Sequence, residues 1–419
     1  MRFFAVPFLF MLTMTLASPA GNWPAFRGPG GNGACQETAI PWKWSATENV
    51  RWKLKLPSPG SSSPIVWEDK IFLTQSIDKK GMQRAVLCID RKHGKVLWEK
   101  VTPFQGNEPT HGTNPYCSAT PVTDGKLVIA SHGSAGVVCY DFEGNQLWKK
   151  DLGSFIHIWG NASSPVLYKN LVLLNCGPGT QTFLIAMEKE TGKEVWRAEE
   201  TGGKAALEKG QEWIGSWSTP IIHKVQGKDQ LLMSWPNAVK GYDPLTGKCL
   251  WTAEGLTKLV YTSPIASGNT LVAMSGFHGS AMALNLETLA QGEKPTRLWH
   301  HKTQNPQRIG SGIISGNHCY MANAGPGTVQ CLDLKTGEDL WKSQRLGGSH
   351  WASTLLVDGK LLATDQAGDT YIVAVGPEFK ILGKNSLREH TDATPAISNG
   401  EIFIRTFQHL YCISSRPKE

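Results

Sequence analysis

The chain is missing the local signatures that usually announce an enzyme. Its 419 residues contain no glycine-rich phosphate loop, no Gly-x-Ser-x-Gly elbow and no His-Glu-x-x-His pair, so three common routes to chemistry have no starting point. Charge is also sparse. Charged residues make up 18% of the chain, and the net +7 is thinly spread. Its densest cluster, Arg51-Trp52-Lys53-Leu54-Lys55, alternates like a strand with one solvated face, and nothing in the chain reads as a nucleic-acid-binding surface. The long apolar runs of membrane spans are absent too. Phe3 to Leu16 is apolar, but it follows Met1-Arg2 and ends in the small residues Ser18-Pro19-Ala20, which predicts a secretory signal over 1–20. No cysteine follows that run, the first being Cys35, so no lipid anchor is expected. The expectation is a soluble monomer in the periplasm or outside the cell, with no transmembrane span.

What the chain does have is turns and aromatics: 44 Gly, 24 Pro and 16 Trp, a composition that favours all-β structure. The tryptophans are periodic. Trp52, Trp98, Trp148, Trp196, Trp251, Trp299 and Trp341 recur at steps of 42–55 residues, in the range of propeller blades. Asp243-Pro244-Leu245-Thr246-Gly247-Lys248-Cys249-Leu250-Trp251 shows the unit most fully: an Asp, a Thr-Gly turn in which Gly takes positive φ, and a closing Trp that packs between sheets. Each unit opens at Ser63-Pro64, Thr120-Pro121, Ser164-Pro165, Thr219-Pro220, Ser263-Pro264, Ser311-Gly312, Ser353-Thr354 or Thr394-Pro395, which predicts eight blades of four antiparallel strands. The last unit stops without a fourth strand. Trp52 lies in a strand ahead of the first opening, so it is expected to complete the eighth blade and close the ring. In the seventh blade Phe379 is expected at the docking position. The domain division is then a signal over 1–20, an irregular segment over 21–47 pinned by its aromatics, the propeller over 48–415 and a tail over 416–419.

The repeat also sorts the nine cysteines. Cys88, Cys139, Cys331 and Cys412 share one blade position with Ala186, Gly241, Ala283 and Ala374, a slot for a small buried side chain. Cys35, Cys117, Cys176, Cys249 and Cys319 remain open as disulfide partners.

The Asp243 to Trp251 and Asp333 to Trp341 stretches resemble the tryptophan-docking signature of pyrroloquinoline-quinone (PQQ) propellers, and Glu188 to Trp196 is a near copy. The opening Trp23-Pro24-Ala25-Phe26-Arg27-Gly28-Pro29 is similar to exported, BamB-like propellers of planctomycete type. That resemblance implies one of two branches: quinoprotein dehydrogenases, which hold PQQ and usually calcium beneath a vicinal Cys-Cys pair, or the cofactor-free BamB lipoproteins of barrel assembly. No Cys-Cys pair exists here, and no Asp-x-Asp marks a metal set.

Candidate binding residues lie in the connectors ahead of each opening, which the resemblance places on the ligand face beside the channel. They are His111, Asn114 and Tyr116; His157, Trp159 and Asn161; Trp213 and Trp217; Tyr261; Arg308; His350 and Trp351; His390 and Asp392. The four histidines belong to different blades with no His-x-His pair, so no metal site is expected. No catalytic residue is assigned. The resulting expectation is a non-catalytic binding scaffold without cofactor, taking envelope proteins or a small ligand at the channel mouth. A PQQ-dependent oxidoreductase and a carbohydrate-binding propeller are the alternatives.

Overall fold

The computed structural model describes residues 21–200, 214–291, 294–302 and 306–415. The expected signal over 1–20, Trp213 and the tail over 416–419 lie outside the described residues. Eight four-stranded antiparallel sheets form the blades, seven of them from consecutive strands and the eighth from the three C-terminal strands with Val50–Lys55. In the first, Ile65–Trp67, Lys70–Ser76, Gln83–Asp90 and Val96–Pro103 pair in order from the channel outward. The two middle strands are buried on both faces because a blade is covered on either side. They therefore read as near-continuous apolar runs, while the outer strand is largely exposed, with half-buried positions interleaved. The core accordingly lies between blades: Phe72, Val86 and Cys88 of the first pack with Val128, Val138 and Tyr140 of the second. Val50–Lys55 pairs antiparallel with His409–Ile413, Trp52 opposite Cys412, and closes the ring as the repeat predicts.

The docking tryptophans act across blade boundaries. Trp98 stands opposite Cys88, Trp148 opposite Cys139, Trp196 opposite Ala186, Trp251 opposite Gly241 and Trp299 opposite Ala283, so the small slot accommodates the indole within its own sheet. Each indole N–H then reaches into the next blade: Trp52 donates to Arg91 O (2.9 Å), Trp148 to Lys189 O (2.9 Å) and Trp196 to Pro244 O (3.1 Å). Under those rings lie the turn glycines. A Cβ on Gly94, Gly192 or Gly247 would collide with Trp52, Trp148 or Trp196. Glycine is thus required twice, by φ of 68–71° and by the ring above it. Trp251 departs from this scheme because the receiving turn of the next blade carries the short helix Glu287–Gln291. Its N–H goes instead to Gln230 Oε1 (2.8 Å).

Blade seven corrects the expectation for Phe379. In its outer strand, Ile381–Ser386, the docking position opposite the slot belongs to Gly383, paired with Ile372. Large and small residues have exchanged strands, and the Ile372 side chain comes to 3.4 Å of where a Gly383 Cβ would stand. Phe379 lies earlier, in the turn, where it receives Trp341 of blade six in an edge contact of 5.3 Å. Consequently Ala374 is not the slot residue of this blade either.

The segment over 21–47 is mostly irregular, and it is a strap. Trp23 exchanges two 2.8 Å backbone hydrogen bonds with Val66, Pro24 O accepts from Thr123 N, and Ala34–Cys35 adds to blade seven as a parallel fifth strand beside Leu356–Val357. Between these anchors it crosses the channel, with Arg27 wholly buried and donating to Gly312 O and Asn32 O. All nine cysteines are free thiols, including the five that stood open as disulfide partners.

Candidate functional site

The Ser/Thr residue that opens each blade builds the wall of the channel. Ser63 N donates to Thr120 Oγ1, Thr120 N to Ser164 Oγ, Ser164 N to Thr219 Oγ1 and Thr219 N to Ser263 Oγ. Ser263 N continues to Ser311 Oγ, Ser311 N to Ser353 Oγ, Ser353 N to Thr394 Oγ1, and Thr394 N returns to Ser63 Oγ. Every link is 2.9–3.1 Å, and the circuit is closed. The hydroxyl is the invariant requirement of this circuit, and the following proline is not. Thr354, which replaces a proline, uses the amide proton that proline lacks to donate to Ser311 O (3.0 Å).

Above the ring, on the connector face, lies a cavity of ≈ 400 Å³. Its walls include His111, Asn114, Trp159, Trp217, Tyr261, Trp351 and Asp392 from the sequence-predicted set. Phe26 of the strap lines it from below, so the channel is stopped behind the site. Phe277, Gln307 and most of the ring hydroxyls complete it. Sequence reasoning missed these. The openings were visible as repeat marks, but that their hydroxyls face a cavity, and that a strap distant in sequence closes it, follows only from the ring geometry.

The aromatic residues form one cluster. Trp159 and Trp217 have centroids 5.9 Å apart at 55°, Trp217 and Tyr261 5.1 Å at 61°, and Trp159 and Tyr261 6.5 Å at 87°. His157 is buried against Trp217, edge to face at 4.9 Å, and Trp217 Nε1 donates to Gly160 O (2.8 Å), which fixes the indole. Burial pushes the Tyr261 phenol up, keeping it neutral. Across the cavity, Asp392 Oδ1 accepts from Gln366 Nε2 (2.8 Å) and lies 3.3 Å from His390 Nε2, while its buried Oδ2 has no hydrogen-bond partner. That carboxylate holds the His390 pKa above its ordinary value, against the opposing effect of burial. Among the described residues, no Lys or Arg lines the cavity.

The other predicted residues are placed elsewhere. Tyr116 and Asn161 line a much smaller polar cavity with Arg84, Glu108 and His132, Tyr116 donating to Glu108 O (2.8 Å) and Asn161 to Phe155 O (3.2 Å). Arg308 is wholly buried, donating to Gln330 Oε1 (3.2 Å), and burial lowers its pKa to about 10. His350 is wholly buried as well, with Nε2 donating to Leu346 O (2.6 Å) and its pKa lowered by burial. His390 stands behind Asp392, its ring 4.3 Å from that of Phe407. Among the described residues, no group of three or more His, Cys, Asp or Glu side chains is arranged to hold a metal ion, and no helix is long and apolar enough to cross a membrane.

The ring of blades, the docking tryptophans and the stopped channel define an eight-bladed propeller of the PQQ-like repeat class. Residues 83–343 match the family described as outer membrane protein assembly factor BamB, and the chain belongs to this family. Among curated proteins it is 25% identical over 152 residues to outer membrane protein assembly factor BamB of Burkholderia pseudomallei, an alignment covering 35% of this chain and 39% of that one. It is 21% identical over 266 residues to tetrathionate hydrolase of Acidithiobacillus ferrooxidans, covering 61% and 40%. The chain thus spans about two fifths of the length of these curated relatives. Among solved structures it superposes on a europium-containing methanol dehydrogenase with TM-score 0.69 and 12% identity, covering 93% of this chain and 90% of the other. BamB from Moraxella catarrhalis gives TM-score 0.62 and 11% identity, covering 86% and 98%. At these identities the superpositions show a shared fold.

Proposed function

We propose that this chain is an exported, non-catalytic binding propeller of the cell envelope, which receives a small ligand or a segment of an envelope protein in the cavity at its channel mouth. One observation carries the reading: the cavity has aromatic walls and a single carboxylate, and a segment of the same chain stops it from behind. Such a lining suits recognition, since flat apolar surfaces supply affinity and one or two polar groups fix orientation. Phe277 in the cavity lining is exposed, as are Ile156 and Ile158 on either side of His157 in the connector that carries Trp159, apolar surface suited to a bound segment that extends outward.

A second reading, a PQQ-dependent oxidoreductase, draws support from the methanol dehydrogenase superposition over nearly the whole chain. The residues present do not fit that group. PQQ carries three carboxylates, whereas among the described residues the cavity offers it no guanidinium or ammonium partner and a buried acid, Asp392, that repels it. The test is reconstitution of the purified chain with PQQ and either calcium or a lanthanide, followed by dye-linked oxidation of alcohols. No turnover is expected, and sustained turnover overturns the non-catalytic reading.

A further inference from the structure

The binding reading leaves open what chemistry the cavity selects, and the arrangement of its groups answers that more narrowly. We infer that the cavity binds an organic ammonium ion, held between the faces of Trp159, Trp217 and Tyr261 and the carboxylate of Asp392. This rests on the binding reading and extends it to a ligand class.

Three features converge. First, the rings are steeply inclined to one another, at 55°, 61° and 87°. A sugar ring stacks on one flat face, and a quinone lies against one flat platform. Three mutually inclined faces instead surround a compact, roughly spherical group, and the negative π-faces of indole and phenol attract a positive one. Second, the rings are held in place before any ligand arrives: Trp217 through its N–H to Gly160 O and by the buried His157 at its back. A rigid cage loses little side-chain freedom on binding. Third, the charged groups favour a cation. Asp392 is buried, its Oδ2 has no partner, and among the described residues no Lys or Arg lines the space, His111 being the one imidazole in the wall. A desolvated, half-satisfied carboxylate is costly to maintain in a folded protein, and a cation brought into the cavity offsets that cost. Among the described residues His390 is the basic group in contact with it, on the side away from the cavity lining, and its competition for the carboxylate weakens as pH rises. A volume of ≈ 400 Å³ admits a ligand of the size of choline or an arylalkylamine.

The experiment is a titration of the intrinsic tryptophan fluorescence, confirmed by calorimetry, at about pH 8.5. Choline is compared with 3,3-dimethylbutan-1-ol, its uncharged isostere of the same shape. Choline is expected to bind saturably and at least about tenfold more tightly than the isostere. Asp392→Asn, which keeps the shape and removes the charge, is expected to weaken choline at least about tenfold while leaving the isostere unchanged. Trp159→Leu alters a half-exposed ring and supplies the same readout if Asp392→Asn folds poorly. Equal affinity for choline and the isostere overturns the inference, as does absence of saturable binding by both choline and benzylamine. Cello-oligosaccharide binding that displaces nothing cationic overturns the ammonium class but leaves the binding reading standing. Turnover with PQQ overturns both, so the two failures are distinguishable.

Discussion

His132 is wholly buried beside Arg84, and neither of its ring nitrogens has a hydrogen-bond partner. Burial first, then the neighbouring guanidinium, pushes its pKa from 6.5 to about 3. The folded protein therefore keeps this imidazole neutral to about pH 3, while the unfolded chain protonates it near 6.5. Between those values the unfolded state binds the extra proton, so stability falls as pH drops, at up to about 1.4 kcal/mol per pH unit from this group. His132→Leu removes that dependence. Urea unfolding at pH 4 and pH 7 should show the difference between variant and wild type moving by about 2–3 kcal/mol in favour of the variant at the lower pH. An unchanged difference would mean that the buried ring is already protonated or solvated in the fold. The same scale explains why the candidate site was only partly legible. Counting from the repeats picked out Trp159, Trp217, Tyr261 and Asp392, which line the cavity, and the same counting also brought in Arg308 and His350, whose polar ends turn inward to Gln330 and to Leu346 O. Position along a loop is written in the chain. The side toward which each residue points depends on the neighbouring blade.

At the scale of the element, the Thr-Gly turn and its tryptophan form a joint with two separable costs. Gly247 (φ 71°) lies beneath Trp196, whereas Gly227 (φ 79°) has open space around its Cβ direction. Gly227→Ala is expected to cost about 1 kcal/mol, the strain of positive φ alone. Gly247→Ala should cost about 1–2 kcal/mol more, because the ring must also move. Melting temperatures of the two variants compare them directly, and equal losses would remove the ring from the account. Blade seven supplies a second case. Exchange of large and small residues between strands preserves the volume of the slot while erasing its sequence mark, which is why spacing pointed to Phe379. Ile372→Ala should cost about 2–4 kcal/mol as a cavity variant, and Gly383→Trp should also destabilise by overpacking. The double variant should recover at least about 1 kcal/mol relative to the sum, a coupling expected only if the two side chains share one space. Additive losses would show that they do not.

For the whole molecule, the hydroxyl circuit makes all blades equivalent neighbours, although one blade is assembled from both ends of the chain. The backbone crosses every blade boundary, passing from Val50–Lys55 in blade eight to Ile65–Trp67 in blade one, and the seam lies inside blade eight, where Val50–Lys55 pairs with His409–Ile413; Thr394 N to Ser63 Oγ completes the circuit at the boundary beside it. Ser63→Ala leaves the buried Thr394 amide without its acceptor, and Ser263→Ala does the same to Thr219 on the opposite side of the ring. An orphaned buried donor costs about 1–3 kcal/mol. If the circuit is a true ring, the two variants should agree within about 1 kcal/mol, since each breaks one link of the same kind. Being four blades apart, they should also add in the double variant to within about 0.5 kcal/mol. A far larger loss for Ser63→Ala in denaturant unfolding would mean that the N-terminal strand is a weak clasp and that closure depends on that single hydrogen bond. Near equality would place the strength of closure in the Trp52 strand and the strap, the segment that also stops the channel beneath the cavity. On that account the same forty-odd residues ahead of the first blade, about a tenth of the chain, complete the fold and finish the binding site in one pass across the ring.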